Sequence, residues 1–156
     1  MKHVAPTLVL LAALCASMVP LAVSAATARV DDTGTTLSQG VVTMRWRQLV
    51  PGRASDNTVQ AGVRVALRLN LQRWLNQPVR LYMALPPATC EPVHAEWRTQ
   101  GRLLPGSLRT GARTLIFDGV ATAALLEETL DLTLRTDGRS LTSTQSLQFY
   151  FEIDTP

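Results

Sequence analysis

Lysine and histidine are nearly missing from this chain. Lys2 is the only lysine among 15 basic residues, so the remaining fourteen are arginines, and the two histidines are His3 and His94. Cysteine is confined to Cys15 and Cys90. A zinc centre draws on three or four nitrogen and sulfur ligands. Cys90 and His94 offer two, four residues apart, in a proline-flanked stretch that reads as a loop entering a strand. A Ser-His-Asp or Cys-His arrangement would have to use His94. There is no Gly-rich phosphate loop and no alternating run of oxygen ligands suited to calcium. The paired carboxylates Asp31-Asp32 and Glu127-Glu128 occupy adjacent positions, which on a strand face opposite sides and form no acid/base couple. These absences point away from an enzyme and imply no metal and no cofactor.

Charge of one sign is also modest. The formal net charge is +3, too little for a nucleic-acid partner, whose phosphates are met by dense basic patches. An all-arginine basic set instead suits planar, bidentate contacts with carboxylate, sulfate or phosphate groups. Coding bias with solvated arginines accounts for the same composition.

The long apolar run is confined to the start. Lys2 and His3 precede an apolar stretch from Val4 to Val23, and Val23-Ser24-Ala25 supplies a small-residue cleavage site. Residues 1–25 therefore read as an export signal. An uncleaved anchor is the alternative, since about 20 apolar residues span a bilayer, but Pro6, Thr7, Ser17 and Pro20 interrupt the run. Lipidation at Cys15 would want a small residue before it, where Leu14 stands. Removing residues 1–25 from 156 leaves 131, enough for one domain with its own core and no further membrane span. The remaining Cys90 has no intrachain partner, so the fold is expected to rest on packing rather than on a disulfide.

Residues 26–40 are small and polar and read as an N-terminal arm, followed by a domain over 41–156. From Val41 to Leu49, Val42, Met44 and Trp46 alternate with Thr43, Arg45 and Arg47, as in a half-buried strand. Pro51-Gly52 opens a loop. Val63, Val65, Leu67, Leu69 and Leu71 then fall at every second position, with Arg64 and Arg68 between them. Such a strict period of two fits one face of a long strand and no helical stripe. Val79, Leu81, Met83 and Leu85 resume the alternation after Asn76-Gln77-Pro78, and pairing of the two strands as antiparallel neighbours is expected.

Shorter strands are expected around Val93–Trp97 and Thr114–Val120, with one helical turn over Ala121–Glu127. Leu130, Leu132 and Leu134 alternate again, and Asp137-Gly138 suits a two-residue hairpin turn leading to a return strand from Leu141 through Ile153. About seven strands with one wet face each predict an all-β, immunoglobulin-like antiparallel β-sandwich, with a small β-barrel as the alternative. Trp46, Trp74 and Trp97 read as core or corner anchors. If their strands are neighbours, Arg45, Arg47, Arg64, Arg68 and Arg80 share one sheet face that could bind an acidic glycan or a protein.

The leader through Ala25, the polar arm Ala26–Gly40 and the terminal strand Leu147–Ile153 together resemble a chaperone–usher fimbrial subunit. Its single mature cysteine fits pilins that do without the intrasubunit disulfide. The resemblance implies export to the periplasm and then to a cell-surface fimbrium. It implies a sandwich lacking one strand, completed first by a periplasmic chaperone at an outer-membrane usher and then by the arm of the next subunit. It makes Ala26, Ala28 and Val30 the donor arm, and Leu147, Phe149, Phe151 and Ile153 the border of the acceptor groove. The competing hypothesis is a self-complete periplasmic or secreted binding domain that uses the arginine face.

Overall fold

The computed structural model describes residues 26–48, 56–87, 92–139, 141 and 146–155. The leader with its cleavage site, the Pro51-Gly52 turn and Cys90 lie outside the described residues. Ten strands are described. They are β1 (Ala26–Arg29), β2 (Thr36–Leu37), β3 (Arg45–Trp46), β4 (Thr58–Asn70), β5 (Pro78–Ala84), β6 (His94–Thr99), β7 (Gly106–Arg109), β8 (Arg113–Val120), β9 (Leu125–Asp137) and β10 (Tyr150–Thr155). One sheet has the order β1-β10-β5-β8; the other runs β2-β4-β9-β6-β7, with β3 also on β4. Every pairing is antiparallel. The two sheets form an antiparallel β-sandwich rather than a closed barrel.

The period-two stripe explains the core. Val63, Val65, Leu67 and Leu69 of β4 are buried, while Arg64, Ala66 and Arg68 between them are exposed. Leu81 and Met83 of β5, Ile116 of β8, Leu130 and Leu132 of β9, and Phe151 and Ile153 of β10 pack against the same cluster. Trp97 is 1% exposed and donates its Nε1–H to the Leu104 carbonyl at 2.9 Å, so its one polar group is satisfied in the core. Trp74 packs at the margin of the core, whereas Trp46 remains 43% exposed.

Several sequence expectations are corrected by the topology. β4 and β5 do not pair, because a 3₁₀ turn at Gln72–Trp74 and Asn76 at φ 62° carry the chain from one sheet to the other. Asn76 tolerates this left-handed conformation better than most residues. The helical turn expected at 121–127 is absent; β9 begins at Leu125, its alternation overriding the helix-favouring alanines and leucines. Asp137-Gly138 ends β9 but makes no hairpin, since β10 joins the opposite sheet beside β5. Among the described residues only Arg45–Trp46 of the expected Val41–Leu49 strand forms a strand, and the return strand expected from Leu141 is not continuous, since 146–149 are outside any strand and β10 begins at Tyr150.

Glu128 lies on the core-facing side of β9, opposite Leu67, where a carboxylate would ordinarily be costly. It is fully engaged there. The Thr99 hydroxyl donates to Oε1, and the backbone N–H groups of Gly101, Arg102 and Leu103 donate at 3.1, 2.9 and 3.2 Å. A Cβ on Gly101 would sit 2.4 Å from the Glu128 carboxyl carbon, so the loop can wrap the carboxylate only with glycine there. Glu127, its neighbour, faces the opposite side and pairs with Arg68 at 3.1 Å.

Candidate assembly site

The arm and the last strand meet within one chain. β1 lies antiparallel to β10 in the register Ala26↔Thr155, Thr27↔Asp154, Ala28↔Ile153 and Arg29↔Glu152. The Val30 N–H extends the ladder by donating to the Phe151 carbonyl at 2.9 Å. Alternation then decides what is buried. Ala26 is exposed, Ala28 is half-buried against the core, and Val30 is 2% exposed. Across from them Phe151 and Ile153 are buried at 3% and 0%. Among the described residues β1 is the edge of its sheet, paired on one side only.

The arm covers only part of that edge. After Val30 it crosses to the other sheet, where Asp31 bridges Asn70 and β2 pairs with β4. Residues 146–149 therefore have no strand partner among the described residues. Beside them opens an apolar groove of about 530 Å³. Leu147 and Phe149 line one wall, Val63, Leu132 and Leu134 lie within it, and Val42 and Met44 contribute from the segment before β3. So Phe151 and Ile153 border the seated arm, while Leu147 and Phe149 border the open groove.

Polar latches hold β1 from outside. The Thr27 hydroxyl donates to Asp154 Oδ1 at 2.6 Å, and Arg113 donates to Asp154 Oδ2 at 3.1 Å and to Glu152 at 3.2 Å. The Arg29 guanidinium lies 5.0 Å from the Tyr150 ring centroid. The Thr27 bond first, and then Arg113, hold the Asp154 carboxyl below its ordinary value of 3.8, with Arg80 adding at longer range. A depressed carboxylate stabilises the folded form above its unfolded pKa and loses that contribution as pH falls through the folded value. Protection of the Val30 amide is therefore expected to hold steady from neutral pH down to about pH 4 and to fall below it. Asp154→Asn should flatten the part due to this group. Asp31, also held low by its bond to Thr33, titrates in the same window and leaves a residual slope. Hydrogen exchange corrected for intrinsic rates measures both.

The five arginines named from sequence do not share one face. Arg45, Arg64 and Arg68 stand on strands of the larger sheet, Arg47 follows β3, and Arg80 belongs to the opposite sheet. Four of them meet carboxylates: Arg47–Asp56 at 2.9 Å, Arg64–Asp131 at 2.8 Å, Arg68–Glu127 at 3.1 Å and Arg80–Asp118 at 3.2 Å. Much of the expected positive field is neutralised at the surface. Thr27, Asp154 and Arg113 carry the latch and were not singled out by sequence reasoning, since no local pattern links positions so far apart.

Among the described residues no group of three or more histidine, cysteine, aspartate or glutamate side chains is placed to hold a metal ion. No described helix is long and apolar enough to cross a membrane. No family model matches the sequence, and no curated protein or solved structure matches it either.

Proposed function

We propose that this chain is an exported structural subunit of a surface fimbria or similar assembly, and that its copies join by exchanging the arm Ala26–Val30. The observation that supports this most directly is the position of β1. The first described strand is a one-sided edge strand laid against the last one. Its inward payload is only Ala28 and Val30, so undocking it costs less than opening any central strand. An arm from a second copy would make the same contacts as the chain's own arm, so exchange is close to isoenergetic and concentration drives it.

The open groove supports a second partner in the same scheme. Continuing the register past Val30 would set Asp32 and Gly34 opposite Phe149 and Leu147, a poor apolar match. A foreign strand with large apolar residues at alternate positions fits that stretch better. A periplasmic chaperone delivering the subunit to an outer-membrane usher is the partner of this kind.

Paired cysteines test the exchange. Thr27 and Asp154 face each other across a close, non-hydrogen-bonded pair on the outer surface, the spacing at which strands accept a disulfide. Thr27→Cys with Asp154→Cys, in a Cys90→Ser background, is expected to give a covalent ladder when concentrated protein is oxidised after assembly. Oxidation of dilute protein first should give only intrachain closure, and that product should no longer polymerise. A monodisperse monomer with no interchain product at any concentration would reject the proposal in favour of a self-complete binding domain.

A further inference from the structure

The outer face of the larger sheet, the one β1 does not join, carries a second feature. There β4, β9 and β6 lie side by side, and their registers place outward residues in rows. One row is Arg64–Asp131–Arg98, the next Gly62–Thr133–Glu96, and the third Gln60–Arg135–His94. The middle row has small residues at two of its three positions, between two rows of long side chains. The result is a polar basin of about 670 Å³, within the ~300–1,000 Å³ range of small-molecule sites.

The pairing around the basin leaves it cationic. Asp131 is taken by Arg64 at 2.8 Å, and Glu96 accepts from Arg135 Nη1 at 2.9 Å. Arg98 is exposed and has no ion pair among the described residues. Three arginines against two carboxylates leave one positive charge. At the third row Arg135 Nε and His94 Nδ1 are both buried without a hydrogen-bond partner among the described residues.

We propose that this basin binds an acidic saccharide residue, a hydroxylated ring bearing a single oxyanion. Arg98 receives the oxyanion with its planar donor fork. The free oxygens of Asp131 and Glu96 and the Thr133 hydroxyl meet ring hydroxyls, and the bare backbone at Gly62 lets the ring approach the sheet. Carboxylated and sulfated sugars share this chemistry. Ser38 is the one residue of 26–40 that lines the basin, and the exchanging segment Ala26–Val30 lies on the opposite sheet, so the site stands or falls separately from subunit exchange.

The test titrates the full chain with glucuronate, galactose 6-sulfate and neutral galactose, followed by NMR shifts of the β4, β6 and β9 amides. Saturable millimolar binding of an acidic sugar, at least tenfold weaker for galactose, is expected. Preference between the first two probes assigns carboxylate or sulfate as the anion. Arg98→Ala should weaken binding about tenfold, while Arg80→Ala on the opposite sheet should leave it unchanged. Gly62→Leu should abolish it with the fold intact, because a Cβ at Gly62 has no heavy atom nearer than 4.0 Å. Equal response to neutral galactose, no response to either acid, or full binding by Arg98→Ala would overturn the assignment.

Discussion

Val30→Asp is expected to release the arm and leave a chain that a short peptide can repair. Val30 is among the most buried residues of the core, and an unpaired carboxylate does not remain there when an alternative exists. The alternative is undocking of β1, so the loss is capped at what docking contributes. Burial of Val30 and part of Ala28, with the backbone bonds to β10, amounts to about 2–4 kcal/mol. For a domain of this size that is a large share of total stability, and a fall in Tm on the order of 10 °C follows. If copies exchange arms as proposed, the variant should not polymerise, because the same carboxylate would be placed against a neighbour's β10. A synthetic peptide spanning residues 26–32 of the natural sequence should then raise the Tm of the variant saturably. Calorimetry with and without peptide reads this directly. A variant as stable as the parent, or one the peptide cannot rescue, would remove β1 from the role assigned to it.

Glu128→Ala should be the most damaging surface-adjacent change. The carboxylate binds one hydroxyl and three consecutive backbone N–H groups. Water can replace it at Gly101 and Arg102, which are exposed, but Leu103 is buried and its N–H would lose its acceptor. A cost of about 2–4 kcal/mol is expected, seen as a lower midpoint in urea with the slope unchanged. Glu128→Gln retains one acceptor oxygen and should fall between. If alanine costs under about 0.5 kcal/mol, the range of an ordinary surface substitution, the loop 100–103 is held by something other than this carboxylate.

Much of the architecture was legible because a period of two is a local signal. The stripe Val63–Leu71 and the pairs Val79/Leu81 and Leu130/Leu132 each declare a buried face without reference to any partner strand. Sheet membership is not local. The break at Asn76-Gln77-Pro78 looks like a hairpin connection but turns the chain across the sandwich, and Asp137-Gly138 is followed in the described residues by a strand of the opposite sheet, not a hairpin partner of β9. The arginines show the same limit. Their outward parity was readable, but Arg80 falls on the other sheet, and the acids facing Arg64, Arg68 and Arg80 come from β8 and β9, dozens of residues away. The basin is not legible in the sequence for a related reason. Gly62 and Arg98 acquire meaning only when β4, β9 and β6 are set side by side.

The register Ala26↔Thr155 has a mechanical consequence. Because these two residues sit at the same end of one antiparallel ladder, tension applied between them loads the nearest hydrogen bonds first and opens the ladder in sequence, like a zip. Strands pulled in shear share the force among all their bonds; these cannot. A single chain stretched from Ala26 and Thr155 should therefore shed β1 at low force, before the β10–β5 ladder behind it gives way.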